Sequence, residues 1–147
     1  MVRSSGMPED IYPTILVADD EPLVLGVVSS SLEIAGYTVL KAKDGAEALR
    51  VCRENGRRVD LALLDYFMPG MNGVDLFHRL REIYPQIKVI MMSGYAEQLL
   101  RRLGQDSTVV GVDDVLPKPF LPAQLVMRVK SALGGPEADG RLSGLLP

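Results

Sequence analysis

Short apolar runs alternate with helix-patterned segments along most of the chain. Five runs rich in β-branched and aliphatic residues predict β-strands at residues 14–18, 37–42, 60–64, 88–92 and 114–117. The intervening and following segments predict helices at residues 22–35, 45–55, 73–84, 96–104 and 121–133, the fourth of them short or irregular. This alternation predicts an α/β fold with a doubly wound five-stranded parallel sheet and helices on both faces.

Length and composition limit the chain to one such domain. Its 147 residues, 47% of them hydrophobic, suffice for one core, which we assign to residues 13–133. Residues 1–12 are interpreted as an N-terminal extension, and the Gly- and Pro-rich residues 134–147 as a C-terminal tail or linker.

Charge, cysteine content and hydropathy exclude several classes of protein. The net charge of -3 comes without a cluster of Lys and Arg, which disfavours binding to nucleic acid. The single cysteine, Cys52, excludes an internal disulfide and suits a reducing compartment. No apolar run is long enough to cross a bilayer, so we expect a soluble protein of the cytoplasm.

Side chains that could bind a metal or take part in catalysis follow four of the five predicted strands. They are Asp19, Asp20 and Glu21 after the first strand, Asp65 after the third, Ser93 after the fourth and Lys118 after the fifth. Each of these alone is more simply explained as a helix cap, a turn residue or a surface residue. Together they fall at the carboxyl ends of the strands, where open α/β sheets place their sites.

The carboxylates of this set require a positive partner. Asp19, Asp20 and Asp65 would repel one another if they met without a cation, and Asp65 ends an otherwise apolar run. Ligands that are all oxygen atoms favour a hard divalent ion, and Mg²⁺ is the best candidate beside a phosphate group. The residues therefore predict a Mg²⁺ site at this edge of the sheet.

Four ordered segments resemble the receiver domain of two-component response regulators across residues 13–133. They are "ILVADDEP", "LLDYFMPGMNG", "IMMSGYAE" and "VLPKPF". The resemblance implies a flavodoxin-like sheet with strand order 2-1-3-4-5. It also implies a phosphoacceptor module rather than an enzyme, which takes a phosphoryl group from a sensor histidine kinase or a histidine phosphotransfer protein and signals through protein contacts.

The resemblance gives each residue of the set a role. Asp65 would be the phosphoacceptor, exposed by the Met-Pro-Gly turn that follows it. Ser93 would donate its hydroxyl to the phosphoryl group, and Lys118 would pair first with Asp65 and then with the phosphoryl oxygens. The peptide bond that follows Lys118 would be cis, as the family has it. Mg²⁺ would be held by Asp19, Asp20, Asp65 and the backbone carbonyl of Phe67.

Two features depart from the family pattern. Val115 stands three residues before Lys118, where the family commonly has an aromatic residue that turns inward on phosphorylation. We therefore expect the signal to leave through the loop after Ser93, with Tyr95 as the reporting side chain. Phe67 and Tyr95 stand two residues beyond the acceptor and the hydroxyl, where two rings should shield an acyl phosphate from water and slow its hydrolysis.

Other classes of function compete with this interpretation. A Mg²⁺-dependent phosphatase of the haloacid dehalogenase type would have Asp-x-Asp at the nucleophile, whereas this chain has Asp65-Tyr66-Phe67. A nucleotide binder would need a glycine-rich phosphate loop after the first strand, which is absent from the sequence. A receiver-like interaction module that never accepts phosphate is disfavoured because the whole set of acids, hydroxyl and lysine is present.

The place of the chain in a signalling pathway stays open at this point. It could be a stand-alone receiver, part of a longer regulator, or the receiver of a hybrid histidine kinase that relays to a phosphotransfer protein. A homodimer could form through the face of the fourth and fifth predicted helices. His78, the only histidine, receives no role because it has no chemical partner in the sequence pattern.

Overall fold

The structure, a computed structural model, describes residues 12–95 and 111–134. The strands are β1 (Thr14–Ala18), β2 (Thr38–Ala42), β3 (Leu61–Asp65), β4 (Lys88–Ser93) and β5 (Asp114–Pro117). The helices within the described residues are α1 (Pro22–Ile34), α2 (Gly45–Asn55), α3 (Gly73–Ile83) and α4 (Pro122–Leu133). The predicted α/β fold is confirmed, and α4 corresponds to the fifth predicted helix.

The predicted ends of these elements agree with the structure to within one residue. Asp65 and Ser93, which we expected just after their strands, are the last residues of β3 and β4. The predicted helix at 96–104 lies outside the described residues, as do nearly all of the N-terminal extension and the C-terminal tail. No helix in the described part of the chain has the length and apolar character needed to cross a membrane.

The sheet has the order β2-β1-β3-β4-β5, and every neighbouring pair is parallel. This confirms the strand order that the resemblance implied. Ala18 lies opposite Leu64, Asp65 opposite Met92, and Ser93 opposite Pro117. Because the strands are parallel, their carboxyl ends meet at one edge of the sheet.

Two hydrophobic clusters cover the two faces of the sheet. β1 and β3 are buried along their whole length, because successive side chains of a strand point into opposite clusters. One cluster joins Leu64 to Phe77 and Leu80 of α3, together with buried residues of α2. The other joins Leu63 to Val28 of α1 and Val129 of α4, together with further apolar residues. The helices therefore lie in two layers, and the layers fix the edge where the strands end.

Both ends of α2 are set by the residues next to them in the sequence. Asp44 is the N-cap residue, and its side chain accepts a hydrogen bond from the backbone N–H of Glu47 at 2.8 Å. The carboxylate of Glu47 accepts in return from the backbone N–H of Lys43 at 2.7 Å, one residue earlier than a standard capping box. The helix ends at Gly56, whose φ of +68° favours glycine.

Candidate functional site

Three carboxylates meet at the carboxyl ends of β1 and β3. Asp19, Asp20 and Asp65 each present one carboxylate oxygen within 4.8 Å of the others. Asp19 is fully buried; its backbone N–H donates to the carbonyl of Ala42, and its Oδ1 accepts from the N–H of Glu21. Asp20 is exposed to solvent. The structure therefore brings together the acidic residues that the sequence singled out.

Asp65 is buried, contrary to the expectation that the following turn would expose it. Only 6% of the residue is accessible. The chain after it folds back over the strand end, because Tyr66 donates its N–H to the carbonyl of Met92 and accepts from the N–H of Gly73. Asp65 therefore lies within the domain at the end of β3 and is not displayed on its surface.

Gly73 permits this close return of the chain. A Cβ at this position would lie 2.6 Å from the carbonyl oxygen of Asp65 and 3.0 Å from the Cα of Tyr66. Every other residue type would push α3 away from the end of β3. The start of α3 is held by Asn72, which accepts a hydrogen bond from the N–H of Asp75 at 2.9 Å.

Lys118 supplies the positive charge at this edge of the sheet. Its Nζ lies 2.8 Å from Oδ2 of Asp19 and 3.3 Å from Oδ1 of Asp65. It also lies 3.3 Å from Oε1 of Glu21, a partner that the sequence analysis did not anticipate. The backbone N–H of Lys118 donates to the carbonyl of Ser93, and the bond to Pro119 is cis, as predicted.

These surroundings change the acidity of Asp65 and Lys118. Burial raises the pKa of the Asp65 carboxyl, the negative charge of Asp19 raises it further, and Lys118 partly offsets both, which leaves it at about 7. Burial lowers the pKa of the Lys118 ammonium, but its contacts with Asp19, Asp65 and Glu21 outweigh burial and raise it overall. A divalent cation at the carboxylates would favour the ionised form of Asp65.

The residues at this edge fit a hard divalent cation. Oδ2 of Asp19 is buried and accepts no hydrogen bond, although it lies close to the Lys118 ammonium. Such an oxygen gains by coordinating a metal, and carboxylate oxygens are the ligands that Mg²⁺ prefers. Asp19, Asp20 and Asp65 form the candidate metal site, while the contribution of the Phe67 carbonyl stays a prediction.

Ser93 is placed to act as a hydrogen-bond donor. It is the last residue of β4, is almost fully buried, and lies one position beyond Met92, the sheet partner of Asp65. Its Oγ accepts a hydrogen bond from the backbone N–H of Tyr95 at 2.9 Å. The hydroxyl proton can therefore be donated to another group.

An aromatic pair lies beside the acidic cluster. The ring centroids of Phe67 and Tyr95 are 5.6 Å apart in an edge-to-face arrangement. Phe67 is 57% exposed and Tyr95 is 59% exposed, so the pair lies at the surface. The contact between these two rings was not predicted from the sequence, because it depends on the paths of two separate loops.

Val115 and His78 lie apart from the chemistry. Val115 is buried within the cluster that covers the α2 and α3 face of the sheet, so its side chain already points inward. His78 is exposed on α3 with its ring 4.8 Å from the ring of Phe77. The sequence analysis gave His78 no role.

Comparison with known proteins agrees with this fold. A family model described as "Response regulator receiver domain" matches residues 15–130. The chain is 37% identical over 140 residues to the phosphate regulon transcriptional regulatory protein PhoB of Pseudomonas aeruginosa, a match that covers 90% of this chain and 59% of PhoB. It is 40% identical over 120 residues to the sensor kinase CckA of Brucella abortus, which covers 82% of this chain and 12% of CckA.

A solved structure shows the same fold. The response regulator TrrA of Thermotoga maritima, whose crystal structure is a complex with Mg²⁺-BeF, matches with a TM-score of 0.68 and 29% identity. This match covers 82% of the present chain and 99% of TrrA. A five-stranded parallel sheet with acids, a hydroxyl and a lysine at one edge defines a receiver of two-component systems. The chain belongs to the response regulator receiver domain family.

PhoB and CckA are both longer than this chain. It spans 59% of the length of PhoB and 12% of the length of CckA. The family membership therefore concerns the receiver domain, and the activity of a whole regulator or kinase is a separate matter.

Proposed function

We propose that this receiver accepts a phosphoryl group on Asp65 from a phosphohistidine and passes the signal on through protein contacts in the cytoplasm. The donor would be a sensor histidine kinase or a histidine phosphotransfer protein. One observation carries the proposal: the buried carboxylate of Asp65 lies beside two further carboxylates and 3.3 Å from the Lys118 ammonium. The chain would promote its own modification and its slow reversal rather than turn over a separate substrate.

The transfer uses Asp65 as a nucleophile. A carboxylate oxygen of Asp65 forms a bond to phosphorus while the bond from phosphorus to the donor imidazole nitrogen breaks, and the imidazole keeps that electron pair. Lys118 holds the carboxylate in place and then pairs with the phosphoryl oxygens. Ser93 donates its hydroxyl proton to one of those oxygens.

Asp19, Asp20, Asp65 and the carbonyl of Phe67 would hold Mg²⁺ during this step. When bound, the ion neutralises charge on the transferring group, so that an anion can attack an anion. The three carboxylates, which present oxygens within 4.8 Å of one another, support this assignment. The complex of the related TrrA with Mg²⁺-BeF supports it further.

The signal would leave the site through Ser93 and Tyr95. Ser93 Oγ accepts a hydrogen bond from the N–H of Tyr95. A movement of Ser93 towards the phosphoryl group would therefore displace the backbone of Tyr95. Val115 is already buried and has no ring to turn inward. NMR spectra of the free and phosphorylated protein should therefore differ at Tyr95, and a change confined to the acidic cluster would contradict this route.

PhoB and CckA suggest two kinds of longer protein to which this receiver could belong. Similarity to PhoB favours a receiver of a longer regulator, and similarity to CckA favours a receiver of a hybrid histidine kinase that relays to a phosphotransfer protein. These alternatives are distinguished by measuring phosphoryl transfer between the receiver and a histidine phosphotransfer protein in both directions. Transfer from the receiver to that protein would favour the receiver of a hybrid kinase. A homodimer through α4 and the preceding predicted helix is a further proposal, which sedimentation with and without phosphorylation tests.

Intact-mass spectrometry tests the proposed modification. The protein is incubated with acetyl phosphate, with Mg²⁺ or with a chelator, beside Asp65→Asn and a control, Asp75→Asn, which changes an exposed acid on α3. We expect one phosphoryl adduct that requires Mg²⁺, persists in the control and is lost in Asp65→Asn. The absence of any adduct would favour an interaction module that never accepts phosphate.

A further inference from the structure

We propose that Glu21 is a positioning residue for Lys118, which draws the ammonium towards the solvent edge of the site and competes with Asp65 for it. The inference rests on the proposed function, because it concerns how quickly Lys118 becomes available to an incoming phosphoryl group. Glu21 is absent from the candidate metal cluster, so its role differs from that of Asp19 and Asp20.

The contacts of Lys118 carry this proposal. Three carboxylates surround its ammonium, which has three N–H donors. Oδ2 of Asp19 is the nearest oxygen, at 2.8 Å, and Oδ1 of Asp65 lies at 3.3 Å. The contact with Oε1 of Glu21, at 3.3 Å, has the geometry of a hydrogen bond. Glu21 therefore helps to set the direction in which the ammonium points.

The start of α1 gives an independent reason to assign Glu21 a role. Glu21 is the N-cap residue of α1, a position where Ser, Thr, Asp or Asn is preferred because their side chains accept from the helix N–H groups. Its side chain makes no cap hydrogen bond and instead reaches Lys118 on the far side of the sheet edge. Its backbone N–H donates to Oδ1 of Asp19, which fixes where the side chain starts.

This arrangement has a consequence for phosphoryl capture. A cation held by Asp19, Asp20 and Asp65 would weaken the attraction between Asp19 and Lys118. The ion pair between Glu21 and Lys118 would remain. Lys118 must then exchange Glu21 for a phosphoryl oxygen as the group arrives. The Glu21 side chain is 61% exposed, so its pull is moderate and is screened by salt. Removing its charge should therefore speed capture by a small factor.

The test compares Glu21→Gln with Glu33→Gln, which removes the same charge from the exposed far end of α1. The first readout is the hydrogen exchange of the Lys118 ammonium, followed by ¹⁵N NMR without a phosphodonor. The second readout is the rate of phosphoryl incorporation from acetyl phosphate with saturating Mg²⁺. We expect Glu21→Gln to speed both by about two- to fivefold, and Glu33→Gln to leave both unchanged.

The outcomes separate this inference from the proposed function. Equal rates of incorporation in the two variants, or an unchanged ammonium exchange in Glu21→Gln, would overturn the role of Glu21 and leave the phosphoacceptor function intact. If the unaltered protein forms no adduct at all, the proposed function fails and the positioning role fails with it. A faster rate in Glu21→Gln that is reversed in Glu21→Asp would support the role further.

Discussion

The Lys118 ammonium lies 3.3 Å from Oδ1 of Asp65, so this ion pair joins the ends of β3 and β5, strands that are separated in the sheet by β4. β4 lies between them and ends in Ser93, whose carbonyl accepts from the backbone N–H of Lys118. The acceptor, the hydroxyl and the ammonium therefore sit on three adjacent strand ends. Lys118 contacts both of the others, through its ammonium and through its backbone N–H.

The raised pKa of Asp65 predicts how stability depends on pH. The carboxyl has a pKa of about 7 in the folded chain and an ordinary value of 3.8. Between these values the folded chain binds more protons than the unfolded chain, so this group's contribution to the free energy of unfolding falls as pH rises from about 4 to about 7. Three pKa units correspond to about 4 kcal/mol, and solvent screening reduces the expected change to about 2 kcal/mol.

Asp65→Asn removes this titration. The free energy of unfolding of Asp65→Asn, minus that of the unaltered protein, should therefore increase between pH 5 and pH 8 by up to about 2 kcal/mol. Urea denaturation at both pH values, in the presence of a chelator, measures it, and Asp75→Asn is the control. An advantage that is the same at both pH values would contradict the raised pKa.

A divalent cation should stabilise the folded chain through the acidic cluster. At a Mg²⁺ concentration ten times the dissociation constant, the free energy of unfolding should rise by about 1.4 kcal/mol. Asp20→Asn should lose most of this gain, whereas Glu82→Gln, which removes an exposed charge from α3, should keep it. Thermal denaturation with Mg²⁺ and with a chelator measures both. An equal gain in the two variants would show that the ion binds elsewhere.

The contact between Phe67 and Tyr95 predicts a long-lived acyl phosphate. The two rings contact each other at positions that follow Asp65 and Ser93 closely in the chain, so we expect them to reduce the access of water to an acyl phosphate on Asp65. Phe67→Asn combined with Tyr95→Glu should hydrolyse several times faster, while Phe67→Leu combined with Tyr95→Leu, which keeps apolar bulk, should stay close to the unaltered rate. Loss of the adduct is followed by intact mass after removal of the donor. Equal lifetimes in all three proteins would refute the shielding.

Gly73 and Gly26 should respond in opposite ways to the same substitution. Gly73→Ala places a Cβ against the backbone of Asp65 and should lower the free energy of unfolding by about 1–3 kcal/mol. Gly26→Ala, within α1 and with open space around the new Cβ, should raise it by about 0.5–1 kcal/mol. Chemical denaturation of the two variants measures both effects. A neutral Gly73→Ala would show that α3 can move away without cost.

The fold was predictable because its signals are local. Runs such as residues 61–64 are apolar throughout, which favours a strand buried on both faces, and the helix-patterned segments between them are long enough to cover the sheet. Parallel strands then bring their carboxyl ends to one edge regardless of loop detail. The grouping of Asp19, Asp65 and Lys118 follows from topology alone.

The features that the sequence missed depend on loop paths and on side-chain directions. Asp65 is buried at the end of β3, where the N–H of Gly73 donates to the carbonyl of Tyr66 and closes the loop that follows the strand. The Glu21 contact with Lys118 and the contact between the two exposed rings join residues that are distant in the chain. No period or spacing in the sequence encodes these contacts.

Reductive trapping tests the central claim most directly. The protein is phosphorylated with acetyl phosphate and Mg²⁺ and then treated with borohydride, which converts an aspartyl phosphate into homoserine. Peptide mapping by mass spectrometry should find homoserine at position 65 and at no other aspartate. Homoserine at another position, or its absence from a protein that carries the adduct, would contradict the assignment of Asp65 as the phosphoacceptor.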